Sequence, residues 1–334
     1  MSSCSNTTDT SVAQQVYEIA WLPDESGMLA YIDKTSISSL DGSSIDGQNL
    51  YHAGSDGTIG NSIKPADAAP NQTGYAPIVS VSPDGHTAIT SFITNSSGTP
   101  DIYSVDLSSG NVTDIIQNTD LLGITPDQKF VETTPSAANN TAKLLVLYDR
   151  SANPIRLHLP EQTVAGAVSN RVLWIDDAHF AATIYDSTGA DQTPWYHVTI
   201  FDTDGTVTQS IPNADVPLHA SAYAAKSGDL FIRTHANGID KIHLTTSART
   251  SVLPDSVESI DVSGDGTLLV YSSGASTDFY MGYAVNLANG DKATIASSMI
   301  APILSPNADR VAFIHQLSGG ASSDIQVITV QTPP

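Results

Sequence analysis

The sequence holds one cysteine, thirteen basic residues, five glutamates and no long apolar run. A single thiol, Cys4, cannot form an internal disulfide, so the fold is expected to hold together without a covalent staple. Against 35 Asp and Glu, the 13 Lys and Arg leave a net charge of −22. Phosphate binding needs a clustered basic surface, and these few dispersed cations supply none, so nucleic acid is not an expected partner. No stretch of ~18 apolar residues occurs, and no transmembrane helix is predicted. No long 3.6-residue periodicity is present either, which argues against an architecture of amphipathic helices.

What the chain does contain is turn chemistry. Hydrophobic residues make up 40% and charged residues 14%, the latter well below the ~25% usual for soluble domains. Ser, Thr, Asn and Gly take their place, and nearly all of the acidity is Asp, whose short carboxylate accepts bonds from nearby backbone N–H groups in turns. One pattern recurs: apolar strand, tight polar turn, apolar strand. The clearest copy is Val79-Ser80-Val81-Ser82-Pro83-Asp84-Gly85-His86-Thr87-Ala88-Ile89. Others centre on Pro23-Asp24, Pro126-Asp127, Asp265-Gly266 and Pro306-Asn307, with degenerate copies at Asp176-Asp177 and Ser227-Gly228. Pro presets φ at the first central position, Asp bonds forward and Gly takes the positive φ that closes the hairpin. The seven copies lie 38 to 60 residues apart, about 47 on average, which suits a four-stranded propeller blade of ~40–50 residues.

A second hairpin follows in most units, as at Ser108-Ser109-Gly110-Asn111, Thr203-Asp204-Gly205 and Ala288-Asn289-Gly290. Two hairpins make a four-stranded antiparallel sheet, which buries both faces only by stacking on neighbours around a ring. The predicted fold is all-β: a seven-bladed β-propeller of four-stranded blades, with six or eight blades as alternatives. A tether over 1–10 is expected to precede one propeller domain over 11–334. Its units are expected at 16–75, 76–118, 119–168, 169–215, 216–256, 257–298 and 299–334. The long connection from Lys34 to Ile78 reads as the outer hairpin of the first unit plus an extended loop, or as an extra divergent blade. The last unit ends short of an outer strand. Asp9 to Gln15 would supply it in a ring closed by its N-terminus, the alternative being that this stretch is only a tether.

The units, with Ser82-Pro83-Asp84-Gly85 as the one full match, resemble the WD-like repeats of TolB-like propellers over nearly all of residues 16–331. That resemblance implies a fold and leaves function open. Met1-Ser2-Ser3-Cys4-Ser5-Asn6 resembles the cleavage site of a bacterial lipoprotein, which implies lipid attachment at Cys4 and an extracytoplasmic location, cell envelope or secreted. The apolar segment expected before such a cysteine is missing, and an incidental N-terminal cysteine is the alternative.

No nucleophile elbow, phosphate loop, His-Glu-x-x-His, Cys-x-x-Cys or dinucleotide fingerprint occurs, and no cofactor or metal is predicted. Asp202-Thr203-Asp204-Gly205 opens like a calcium loop but lacks the third acid and the distal Glu, so a hairpin turn is expected there. The repeat frame puts the loops after second strands at the mouth of the central channel, with Asp33, Thr94, Tyr185, Asp186, Trp195, Tyr196, His235, Asp278, His315 and Gln316 among them. Of these, Tyr185, Trp195, Tyr196, His235, Asp278 and His315 are the candidate binding residues. Trp195 and Tyr196 suit a sugar or peptide platform, and His235 with His315 would make an imidazole pair. The function expected is non-catalytic binding of a protein, peptide or glycan by a monomer whose only membrane contact is lipid at Cys4. A hydrolase or lyase at the channel, and a structural role in an envelope assembly, are the alternatives.

Overall fold

The computed structural model describes residues 12–36, 47–63, 80–93, 100–116, 119–135, 145–149, 151, 153–158, 172–186, 195–216, 220–234, 236–254, 256–274, 280–317 and 322–333. Every regular element among them is a β-strand. The strands form seven separate antiparallel sheets, each built from consecutive chain segments. Sheet 1 runs outward through Val12–Trp21, Gly27–Ser36, Gly47–Gly54 and Ile59–Ile63. The outer pair is joined at Asp56-Gly57, so the connection after Lys34 does begin with the outer hairpin of the first unit. Sheet 2 comprises Ser80–Val81, Thr87–Ile93, Pro100–Asp106 and Val112–Ile116. Sheet 3 comprises Thr119–Ile124, Phe130–Pro135, Leu145–Asp149 and Pro154–His158. Sheet 4 comprises Val172–Trp174, His179–Asp186, Trp195–Asp202 and Val207–Pro212. In sheet 5 the inner edge is split between Ala214–Asp215 and Ala222–Ala224, both paired with Asp229–Thr234, followed by Ile239–His243 and Ala248–Leu253. Sheet 6 comprises Ser259–Val262, Leu268–Ser273, Met281–Asn286 and Lys292–Ser297, and sheet 7 comprises Met299–Leu304, Arg310–Gln316 and Ser323–Thr329.

The β-propeller architecture is thus as expected, but the expectation of seven four-stranded blades is corrected: among the described residues six blades are complete, and sheet 7 has three strands. Seven tight turns build seven inner hairpins, yet a blade is complete only when a second hairpin adds its outer strand. In the last unit the ladder between the second and third strands continues to Val330, whose N–H donates to Asp309 O at 2.9 Å, and the chain then turns to sheet 6, where Pro333 O accepts from Asn286 Nδ2 at 2.8 Å. Of the stretch expected to complete the last blade, Asp9 to Ser11 lie outside the described residues, and Val12 to Gln15 do not complete it. They pair with Asp33 to Ser36 inside sheet 1.

Seven apolar clusters hold the ring together, one at each junction between successive sheets and one between sheets 7 and 1. At the junction of sheets 3 and 4, Leu147 packs with Trp174, Phe180 and Phe201. Phe180 and Phe201 stack at 5.3 Å between ring centroids. Closure between sheets 7 and 1 adds polar contacts. Val16 N donates to Ser323 Oγ at 2.7 Å. Glu25, in the first tight turn, accepts from Asn307 N and from Arg310 NH2, each at 2.6 Å.

The tight turns account for much of the Asp content. Asp24, Asp84, Asp127 and Asp265 each accept a bond from the backbone N–H two residues on, at 2.9–3.1 Å. Asp56, Asp106, Asp149 and Asp202 do the same in the outer hairpins, at 2.9–3.0 Å. Side-chain donors (Ser82 to Asp84, Ser108 to Asp106, Asn153 to Asp149), together with these backbone bonds, which lead at Asp24 and Asp56, hold the five carboxyls below their ordinary range. Asp202 and Asp204 both accept from Thr206 N, so that loop is a hairpin turn, as read from the sequence.

Candidate functional site

Five of the seven inner edges converge on one cavity of about 270 Å3 at the centre of the ring. Sheet 1 contributes Glu18 and Ile19, sheet 5 Ser221 and Tyr223, sheet 6 Ser259 and Asp261, sheet 7 Pro302 and Ile303, and sheet 4 Leu173. In a strand, alternate side chains leave on opposite faces. Ile260 and Val262 accordingly pack into the junction cluster of sheets 5 and 6, and the intervening Asp261 turns to the cavity.

Two irregularities shape this wall. The inner strand of sheet 1 shifts register between Val16 and Glu18, and that of sheet 7 between Ile300 and Ile303. Such bulges re-aim side chains beside functional sites. At the second, Ala301 adopts a φ of 45°, and the shifted backbone brings Leu304 N to Asp261 Oδ2 at 2.7 Å. Val262 N donates to the other carboxylate oxygen at 2.8 Å. Burial nevertheless outweighs these two donors and pushes the Asp261 carboxyl up to about 6. Near neutral pH it therefore exchanges its proton readily, which suits a general acid or base. Glu18, buried at 9% exposure, is the second carboxylate of the cavity. The described lining carries no Lys, Arg or His, so it offers acceptors and hydroxyls and nothing to neutralise an anion. Among the described residues no group of three or more His, Cys, Asp or Glu is placed to hold a metal ion.

No protein-family profile and no curated protein matches the chain by sequence. Solved structures do match in three dimensions. The β-propeller domain of the Trilobed protease from Pyrococcus furiosus, described as having an open velcro topology, matches at TM-score 0.66 and 10% identity, covering 97% of each chain. An oligogalacturonate lyase in complex with manganese matches at TM-score 0.65 and 12% identity, over 97% of this chain and 91% of the lyase. TolB from Acinetobacter baumannii matches at TM-score 0.42 and 13% identity, over 95% of this chain and 61% of TolB. The chain has the fold of a β-propeller. At these identities the likeness extends to that fold and no further. The expected resemblance to propeller proteins is met at that level, and no comparison supports lipid attachment.

Of the residues expected at the channel mouth, the side chains of Asp33, His315 and Gln316 are described. Tyr185 and Tyr196 are backbone partners, as are Asp186 and Trp195, at one end of sheet 4. His315 lies on the second strand of sheet 7 with its Nδ1 3.0 Å from Asp324 Oδ1, an ordinary cross-strand pair. The described lining of the central cavity includes none of these residues. Cys4, Thr94, His235 and Asp278 lie outside the described residues. The sequence reading missed Glu18, Tyr223 and Asp261. A signal was present for Asp261: one charge within the otherwise apolar strand Ile260-Asp261-Val262, which packs against sheet 5 through Ile260 and Val262 and meets sheet 7 through Asp261.

Proposed function

We propose that this propeller is a non-catalytic extracytoplasmic binding module that takes a protein, peptide or glycan ligand at its central channel. The observation that carries this reading is the central cavity itself, built by inner strands of five sheets and lined by Glu18, Ser221, Tyr223, Ser259 and Asp261. Its acceptors and hydroxyls suit a ligand rich in hydrogen-bond donors, while the net charge of −22 disfavours an anionic one.

The Asp261 carboxyl, titrating at about 6 in a cavity with a second carboxylate, favours a second reading, a hydrolase or lyase with Asp261 as general acid or base. One experiment separates the two. Arrays of short peptides and oligosaccharides are probed with the wild-type chain and with the Glu18→Gln and Asp261→Asn variants, and bound probes are recovered and weighed by mass spectrometry. The binding reading predicts retention that weakens at least ~10-fold in the variants, equivalent to about 1.4 kcal/mol, with probes recovered unchanged. Cleaved probes, with cleavage lost in Asp261→Asn, would establish the enzyme instead. Retention indifferent to both substitutions would remove the channel as the site.

A further inference from the structure

A second cavity, of about 360 Å3, lies in the cleft between sheets 4 and 5 on the tight-turn side of the ring. That volume falls within the ~300–1,000 Å3 usual for small-ligand sites. Its floor is apolar, from Ile200 and Leu244, and its polar side is an ordered pair, Asp176 and His179. Asp176 Oδ1 is fixed by Ala178 N at 2.7 Å and His179 N at 2.8 Å. The same carboxylate lies 2.9 and 3.0 Å from His179 Nδ1. An acceptor-only carboxylate at Nδ1 assigns the proton to that nitrogen and leaves Nε2 of the neutral ring as an acceptor. Gln209 also lines the cavity, and its Nε2 donates to Ser247 Oγ of sheet 5 at 3.2 Å, which leaves the carbonyl end of the amide as an acceptor. Tyr223 supplies an aromatic wall. Burial and the charges of Asp176 and Asp229 hold its phenol protonated, so it donates as well as accepts.

The set is a flat aromatic ring and an apolar floor for C–H faces, with carboxylate, imidazole, amide and phenol for hydroxyls. The described lining has no cationic Lys or Arg. We propose that the cleft between sheets 4 and 5 is a binding site for neutral hexose units, with Tyr223 as the stacking wall and Asp176, His179 and Gln209 as the hydroxyl-binding groups. Acidic sugars fit less well, since they meet Asp176 as a like charge. The site is separate from the channel cavity, although Tyr223 borders both.

The test uses the full chain with maltotetraose, cellotetraose and chitotetraose as neutral probes. Trigalacturonate and tetra-alanine serve as anionic and peptide controls. Saturation-transfer NMR is expected to show transfer from protein aromatic and methyl protons to at least one neutral probe and to neither control. His179→Ala and Gln209→Ala are each expected to weaken that probe ~10-fold or more, the loss of about one hydrogen bond to a polar partner. Their thermal midpoints should be unchanged, because His179 and Gln209 are not part of the apolar junction. Asp261→Asn, in the channel, should leave the probe's affinity unaltered, so failure here and failure of the channel reading are read separately. Absence of transfer to all three neutral probes would overturn the proposal. So would binding that persists in a folded His179→Ala Gln209→Ala double variant, or preference for either control.

Discussion

At the scale of single residues, two carboxyl populations with opposite tendencies coexist. The turn aspartates accept serine hydroxyl and backbone N–H bonds in the open, and those bonds hold them ionised well into acid. Asp261 also accepts two backbone N–H bonds, yet its burial wins and lifts it to about 6. Raising a carboxyl from ~4 to ~6 corresponds to roughly 3 kcal/mol against the charged form. In the unfolded chain the same group titrates near ~3.9, so the folded state binds the proton more tightly. This group therefore stabilises the fold as pH falls from 7 to 4 and withdraws that stability as pH rises through 6. Urea midpoints of wild type compared with Asp261→Asn should diverge over that window, the wild type gaining more between pH 7 and pH 5. Equal pH slopes in the two proteins would remove Asp261 as a titrating group.

At the scale of the element, the tight turn is the unit that repeats, and one position in it is demanding. The residue after the turn Asp, or its counterpart, takes a positive φ in six of the seven copies: Glu25, Gly85, Gln128, Gly228, Gly266 and Ala308. Left-handed backbone costs a residue with a Cβ ~1–2 kcal/mol, which is why three copies carry Gly. In two of the other three, the side chain forms a bond between sheets. Glu25 reaches sheet 7, and the buried Gln128 donates to Ser80 O of sheet 2 at 2.9 Å. The glycines differ among themselves as well. A Cβ at Gly85 meets only Pro23 Cδ at 3.8 Å, whereas at Gly266 it lands 2.6 Å from Ser227 Oγ of the preceding sheet. Gly85→Ala should accordingly cost ~1 kcal/mol, the backbone term alone, and Gly266→Ala visibly more. Chemical denaturation of the two variants side by side checks the order. The turn chemistry was legible in advance from Ser82-Pro83-Asp84-Gly85. The exceptions were not, because Glu25 and Gln128 look out of place until the neighbouring sheet supplies their partners.

At the scale of the molecule, the ring closes by packing and side-chain bonds. The described strands of sheets 7 and 1 share no backbone ladder. They meet through the cluster around Trp21, Met28, Ala312 and Ile314 and through Glu25, whose partner Arg310 lies over the Trp21 ring at 4.9 Å. Removing Glu25 takes away both of its bonds to sheet 7 and leaves Arg310 with the more exposed Asp309 at 3.5 Å as its acidic partner. Glu25→Ala should therefore speed amide exchange in Arg310–Gln316 and Ser323–Thr329 while sheets 3 to 5 keep wild-type rates. Uniform acceleration around the ring would mean that this junction is no weaker than the rest. The candidate site belongs to this scale too. Glu18, Tyr223 and Asp261 come from three sheets and share no spacing along the chain, so no local pattern announces them. The channel-mouth residues expected from the repeat frame were placed by loop position alone, whereas Glu18 and Ala301 to Ile303 enter the lining at register shifts that no repeat announces.

Local chemistry was enough to specify strands of period two, aspartate turns, and units of about 47 residues that must lean on one another, because each of these depends on residues a few positions apart. Only the closed ring decided that the last sheet has three strands among the described residues, that a carboxyl in an apolar strand titrates near 6, and which side chains share a cavity. Those outcomes depend on what lies across a junction between sheets, at sequence separations that range from about 40 to 300 residues.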